Sequence, residues 1–280
     1  MIVVGLVMHF GGFSSVDSSA ASTGADVTKA VTALIMRAGA MLIPLLAVVF
    51  TQLIYKEPIL KGLGISFRIN RWWWIGWLLM PLISMAILGV TLLMPGATWA
   101  PNGEVLQSMP DWMGGIWGLI GISMVSGLLA GISINAIFAF GEEIAWRGFL
   151  MKEFKGKSLL VTALWIGIIW GLWHAPLILN GHNYPQHPVI GVFMMVVLCL
   201  LLTPMLMYFR VKGGSVIVAA IVHGTINAVA GVSALVVSPA DDLLYGNAGL
   251  AGMIVLLVVD ACLFLHDRFV SKEKVFTSLI

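Results

Sequence analysis

The 280-residue chain is 60% hydrophobic and only 10% charged, with a mean hydropathy of +1.01. Soluble domains carry about 25% charged residues, so this composition excludes a soluble protein; the formal net charge of +2 says little about partners. Several apolar stretches exceed the roughly 18 residues that mark a transmembrane helix, and the expected fold is an all-α, polytopic transmembrane helical bundle.

In chain order, the opening MIVVGLVMHFGGF is short for a span and has no basic n-region, so a signal peptide fits it poorly. It reads as a short or tilted first span, followed by a Ser/Ala/Thr-rich loop over 14–25. Seven full-length spans follow, over about 36–55, 73–94, 116–140, 158–179, 189–209, 214–236 and 248–266, giving eight in all. The loops are too short to form separate domains. The chain 1–280 is thus one integral membrane domain, without an evident internal repeat. Cys199 and Cys262 both fall inside apolar stretches and form no ligand or disulfide framework.

Charge is placed asymmetrically. Lys56, Lys61, Arg68 and Arg71 share one loop; Arg147, Lys152, Lys155 and Lys157 lie two spans on; Arg210 and Lys212, then Arg268, Lys272 and Lys274, follow at the same interval. The intervening loops hold Glu104, Asp111, Asp241 and Asp242. By the positive-inside rule the basic loops and the C-terminus are cytoplasmic. The run RWWWIGW (71–77) reads as an interfacial aromatic anchor.

Against that background the segment GEEIAWRGFL (141–150) is conspicuous. If its helix runs on to Phe154, Glu142 lies ten residues inward of Lys152, about 15 Å at helical rise; if Gly141 ends the span, the glutamates sit at the inner interface. Carboxylates at membrane depth face a bundle interior or a wet cavity and mark functional sites by default. Glu143 and Arg147 are spaced i, i+4 in the favourable order and are expected to pair. Glu142 points about 100° away, without a cationic partner, and is the candidate general base. An inert ion-pair lock is the structural alternative.

Two further segments add candidates. WGLWHAP places His174 at the end of an apolar helix, two residues before Pro176, which should end or kink it. His174 reads somewhat too far outward to meet the glutamates, unless residues 158–162 lie along the surface. IVHGTINAV puts His223 and Asn227 one turn apart on one helical face. His182 and His187 read as loop residues, His266, Asp267 and Arg268 as an interfacial helix end, and Asp260 as an intramembrane acid that either pairs with a basic residue or opens a second polar pathway.

EEIAWR, WGLWHAP and HGTIN, in this order and spacing, resemble the CAAX protease and bacteriocin-processing family, which includes the type II CAAX prenyl endopeptidases. The resemblance covers about residues 115–235, the motif-bearing core, and departs from the family pattern in having Trp170 where Phe is usual. It implies that Glu142 and His174 activate the attacking water, that His223 and Asn227 hold the oxyanion, and that Glu143 and Arg147 support them. No serine or cysteine is placed beside a base for covalent catalysis. A glutamate mechanism without a cofactor is the expectation. A zinc held by Glu142, His174 and His223 is the alternative, although HExxH is absent. The expected partners are the bilayer and a membrane-associated or lipidated peptide, with no nucleic acid. The rivals are a non-catalytic scaffold or immunity protein of the same family and a proton-coupled transporter, for which matching broken repeats would be expected.

Overall fold

The computed structural model describes residues 1, 28, 32, 35–101, 110–238 and 241–279. The expected first span over residues 1–13 lies outside the described residues. Seven helices among the described residues are long and apolar enough to cross a membrane: Ile35–Ile54, Arg71–Leu92, Gly115–Ile132, Leu159–Ile178, Pro188–Gly213, Val216–Leu235 and Leu250–Val270. Six agree with the sequence expectation to within a few residues.

The main regular helices are α1 (Ile43–Ile54), α2 (Arg71–Leu92), α3 (Gly115–Ile132), α4 (Ile134–Glu143), α5 (Leu159–Trp173), α6 (Pro188–Gly213), α7 (Val216–Val229) and α8 (Leu250–Leu265), all but α4 within these spans. Their starts are written in the sequence. Asn70 Oδ1 accepts from Trp72 N at 2.9 Å, Ser158 Oγ from Val161 N at 3.3 Å, and Ser215 Oγ from Ile217 N at 3.2 Å. Each satisfies a backbone donor that the first helical turn leaves without a partner.

The third span departs from expectation. Instead of running from 116 to 140 it breaks at Ser133 (φ −118°, ψ −104°) and resumes at once as α4, followed by π-helical turns over Ile144–Leu150 and a last α-turn, Met151–Glu153. The Ser133 hydroxyl donates to the carbonyl of Leu129 one turn back, a bond that competes with the helical ladder and bends helices. Gly141 does not end the helix; the acidic pair lies within a helical run that continues to Glu153.

α7 is the axis of the bundle. Its span is 72% buried, against 44% or less for the others, and it packs against α2, α3, α4 and α6. Close approach depends on glycine: a Cβ on Gly131 would stand 2.2 Å from Thr225 Oγ1, and one on Gly224 2.8 Å from Ala136 N. Small residues of this kind let helix backbones pack tightly in membranes.

The basic loops converge at one end. Lys152 meets Glu57 at 3.0 Å, Asn70 Nδ2 donates to Lys212 O at 3.0 Å, and Lys212 lies 3.9 Å from Asp267. At the opposite end, strand β1 (Thr98–Trp99) pairs antiparallel with β2 (Val237–Ser238), and His187 Nδ1 donates to Asp242 Oδ1 at 2.7 Å. The tryptophan run is divided rather than uniform. Trp73 and Trp77 donate to the carbonyls of Gly213 and Leu128, Trp72 packs edge-on against Tyr208, and Trp74 is left exposed.

Candidate active site

Residues 142–147 stand where α4 passes into the π-helical turns, and all six are buried. π-turns of this kind occur mostly at functional sites, where they re-aim side chains. The expected pair forms: Arg147 Nη1 donates to Glu143 Oε1 at 2.9 Å, with both side chains wholly inaccessible. Arg147 Nη2 donates to Thr203 Oγ1 at 3.1 Å, and its guanidinium lies 4.3 Å from the centroid of the Trp170 ring. Three groups therefore hold one cation that water cannot reach.

His223 joins this pair. Its Nδ1 donates to Glu143 Oε1 at 2.8 Å, and it is only 4% exposed. A carboxylate can only accept, so Nδ1 carries the proton and Nε2 is the ring atom left for chemistry. The position of His223 follows from its neighbour, because Gly224 lies against the Asn135–Ala136 backbone and its carbonyl accepts from Asn135 Nδ2 at 3.2 Å.

Glu142, 2% exposed, has no cationic partner but is not bare. Its Oε2 accepts from Trp170 Nε1 at 2.7 Å and, at 3.4 Å, from Trp146 Nε1 one turn along its own helix. Oε1 accepts no hydrogen bond among the described residues. Two indoles thus fix the carboxylate by one oxygen and leave the other to act.

His174 lies between α5 and the short turn Ala175–Ile178, so Pro176 interrupts the helix as expected. Residues 159–162 form the first turn of α5 behind its Ser158 cap. The link to the glutamates is made through Trp170. His174 Nδ1 donates to the Trp170 carbonyl at 2.9 Å, and its ring centroid lies 5.9 Å from that of Trp170. The Trp170 ring also meets His223, edge-on, with ring centroids 5.3 Å apart. One indole therefore contacts both imidazoles, each with its Nδ1 engaged.

Asn227 is not drawn into this network. It is exposed, one helical turn beyond His223, and no hydrogen bond engages its amide among the described residues. As to the alternative zinc trio of Glu142, His174 and His223, among the described residues no three His, Cys, Asp or Glu side chains are grouped as metal ligands. Asp260 is half-buried and its Oδ1 has no partner among the described residues, so the expected basic neighbour is missing. Sequence reasoning missed Trp146 and Thr203 altogether and treated Trp170 as a conservative aromatic change. The i, i+4 spacing of Glu142 and Trp146 was the one local signal available.

Residues 117–229, which contain every residue of this cluster, match the family model of type II CAAX prenyl endopeptidase Rce1-like proteins. The similarity to that family thus covers about two fifths of this chain. A curated protein named CAAX prenyl protease 2, from Methanococcus maripaludis, is 39% identical over 44 residues, which is 15% of this chain and 16% of that protein. The Rce1-like segment begins in α3 and ends with α7, so it spans the helices that carry the glutamates, both histidines and Asn227.

Proposed function

We propose that the chain is an intramembrane endopeptidase that hydrolyses a peptide bond close to the basic, cytoplasmic end of the bundle, with prenylated CAAX-type C-termini as its substrate class. The observation that carries this reading is the state of Glu142: a buried carboxylate without a counter-cation, held through one oxygen by two indole donors, with the other oxygen available to a water molecule.

In this reading Glu142 Oε1, assisted by His174 Nε2, takes a proton from water as the water oxygen attacks the scissile carbonyl carbon. The carbonyl oxygen becomes an oxyanion. Asn227 Nδ2 donates to it, and His223 Nε2 does so when the ring is doubly protonated, its other N–H held by Glu143 Oε1. The proton held by Glu142 passes to the amide nitrogen, the C–N bond breaks, and the products leave as a carboxylate and an amine. Arg147 pairs with Glu143 and so positions its carboxylate opposite His223. No step is routed through a metal.

The test uses the purified full chain with a farnesylated CAAX peptide and with unmodified peptides of the same sequence. Wild-type protein is expected to cut the farnesylated peptide, and Glu142→Gln, a near-isosteric change, to be inactive while remaining folded and monodisperse. Turnover near the wild-type rate in Glu142→Gln would remove Glu142 as the base. Absence of cleavage of any peptide by the wild type would favour the scaffold or transporter reading.

A further inference from the structure

At the end of the bundle where the basic loops meet there is a cavity of about 310 Å³ lined by Gly62, Arg147, Gly148, Met151, Lys152, Lys155 and Arg210. Four of these seven residues are cationic. Lys152 is compensated by Glu57 at 3.0 Å and Glu153 at 3.7 Å, and Arg147 by Glu143. The side chains of Arg210 and Lys155 make no hydrogen bond or ion pair among the described residues.

Arg210 is the decisive residue. It is partly buried, its Nε is inaccessible and without a hydrogen-bond partner, and its guanidinium is pressed against the backbone of Gly64. A Cβ at Gly64 would stand 1.6 Å from Arg210 Nη2, and the residue has φ +74°, so glycine is required there on both counts. Arg147, wholly buried, also lines the cavity and has a partnerless Nε. A guanidinium held away from bulk water without an anion is costly; here two line one cavity, and one of them has no acid near it.

We propose that this cavity binds the phosphate of an anionic phospholipid headgroup. A compact oxyanion suits it chemically, since arginine forks and a lysine supply several N–H donors to phosphate oxygens. The bilayer is favoured as the source by position. Arg210 lies three residues before the end of the spanning helix α6 at Gly213, where a headgroup would sit, and its neighbour Val211 is an exposed apolar side chain. Basic pockets between transmembrane helices on the cytoplasmic side recognise anionic headgroups in this way. This proposal is independent of the peptidase reading. The sites touch only through Arg147, which reaches Glu143 on one side and the cavity on the other.

The experiment measures the thermal midpoint of the full chain in neutral detergent as phosphatidylglycerol, phosphatidylcholine or millimolar inorganic phosphate is added. Phosphatidylglycerol is expected to raise the midpoint in a saturable manner and the other two to leave it unchanged. The Arg210→Gln, Lys155→Gln double variant is expected to weaken phosphatidylglycerol binding roughly thirtyfold, and Lys155→Gln alone roughly fivefold. An equal shift with phosphatidylcholine would overturn the headgroup assignment, and an equal shift with inorganic phosphate would assign the cavity to a soluble anion instead. Unchanged phosphatidylglycerol affinity in the double variant would overturn the site itself. Lys155 is exposed, so its single variant decides the question if the double variant does not fold.

Discussion

Arg147→Met isolates what the buried ion pair does. The substitution keeps most of the side-chain length and removes the charge, so Glu143, wholly inaccessible, retains only the single N–H of His223. Breaking a buried pair on one side costs about 3–5 kcal/mol, because a buried charge is left uncompensated. For a chain of this size 1 kcal/mol corresponds to about 2–4 °C, so the midpoint should fall on the order of 10 °C. Arg147→Ala should fall further, since it adds a cavity beneath the face of Trp170. The informative variant is Glu143→Gln, Arg147→Met. With both charges gone the double variant should recover most of the lost stability, yet turnover should remain low, because His223 no longer has a carboxylate on Nδ1. Thermal unfolding followed by tryptophan fluorescence in detergent, beside peptide cleavage, measures both quantities. An inactive Arg147→Met with an unchanged midpoint would refute the ion-pair reasoning and move Arg147 to substrate binding; so would a double variant as unstable as the single one.

Thr203→Val keeps the shape of a residue that accepts from Arg147 Nη2 and donates to the Cys199 carbonyl at 2.7 Å. It should cost about 1–3 kcal/mol in stability with turnover close to wild type, and a large loss of turnover would place Thr203 in the reaction path. Exhaustive treatment with a membrane-permeant chelator should leave turnover intact, and active protein should contain far less than one zinc per chain by elemental analysis. Stoichiometric zinc that leaves with activity and restores it on return would replace the glutamate mechanism by one with Glu142, His174 and His223 as ligands.

The helices were legible because membrane spans are set by length and hydropathy, which are local properties. The Glu143–Arg147 pair was legible for the same reason, since i, i+4 spacing lies within one helix. What the sequence could not supply was register between helices. Nothing near Glu142 announces Trp170, 28 residues away, as the donor to its carboxylate. Nor does the sequence tell which glutamate His223 meets; it takes Glu143, and it does so because two glycines set how closely α7 approaches α3 and α4. The His223–Asn227 spacing correctly puts both on one face, but how far along that face the bundle buries them depends on where α3 bends. That bend turns on the Ser133 hydroxyl bond, a single contact in a stretch otherwise indistinguishable from an uninterrupted span.

The π-helical turns over Ile144–Leu150 change what the two ends of one rod can see. Each wider turn takes in one more residue than an α-turn, so the side chains beyond it are out of phase with those before it by about 100°. Upstream, Glu143 looks toward α7 and His223. Downstream, Gly148 sits against the Leu63 carbonyl, which a Cβ would approach to 3.2 Å, and Met151 and Lys152 turn to the cavity beside Arg210. A straight α-helix would give these residues one continuous stripe and hence one set of neighbours. The widened segment works as a gear offset, letting a single helix serve the buried carboxylates on one bearing and the membrane rim on another.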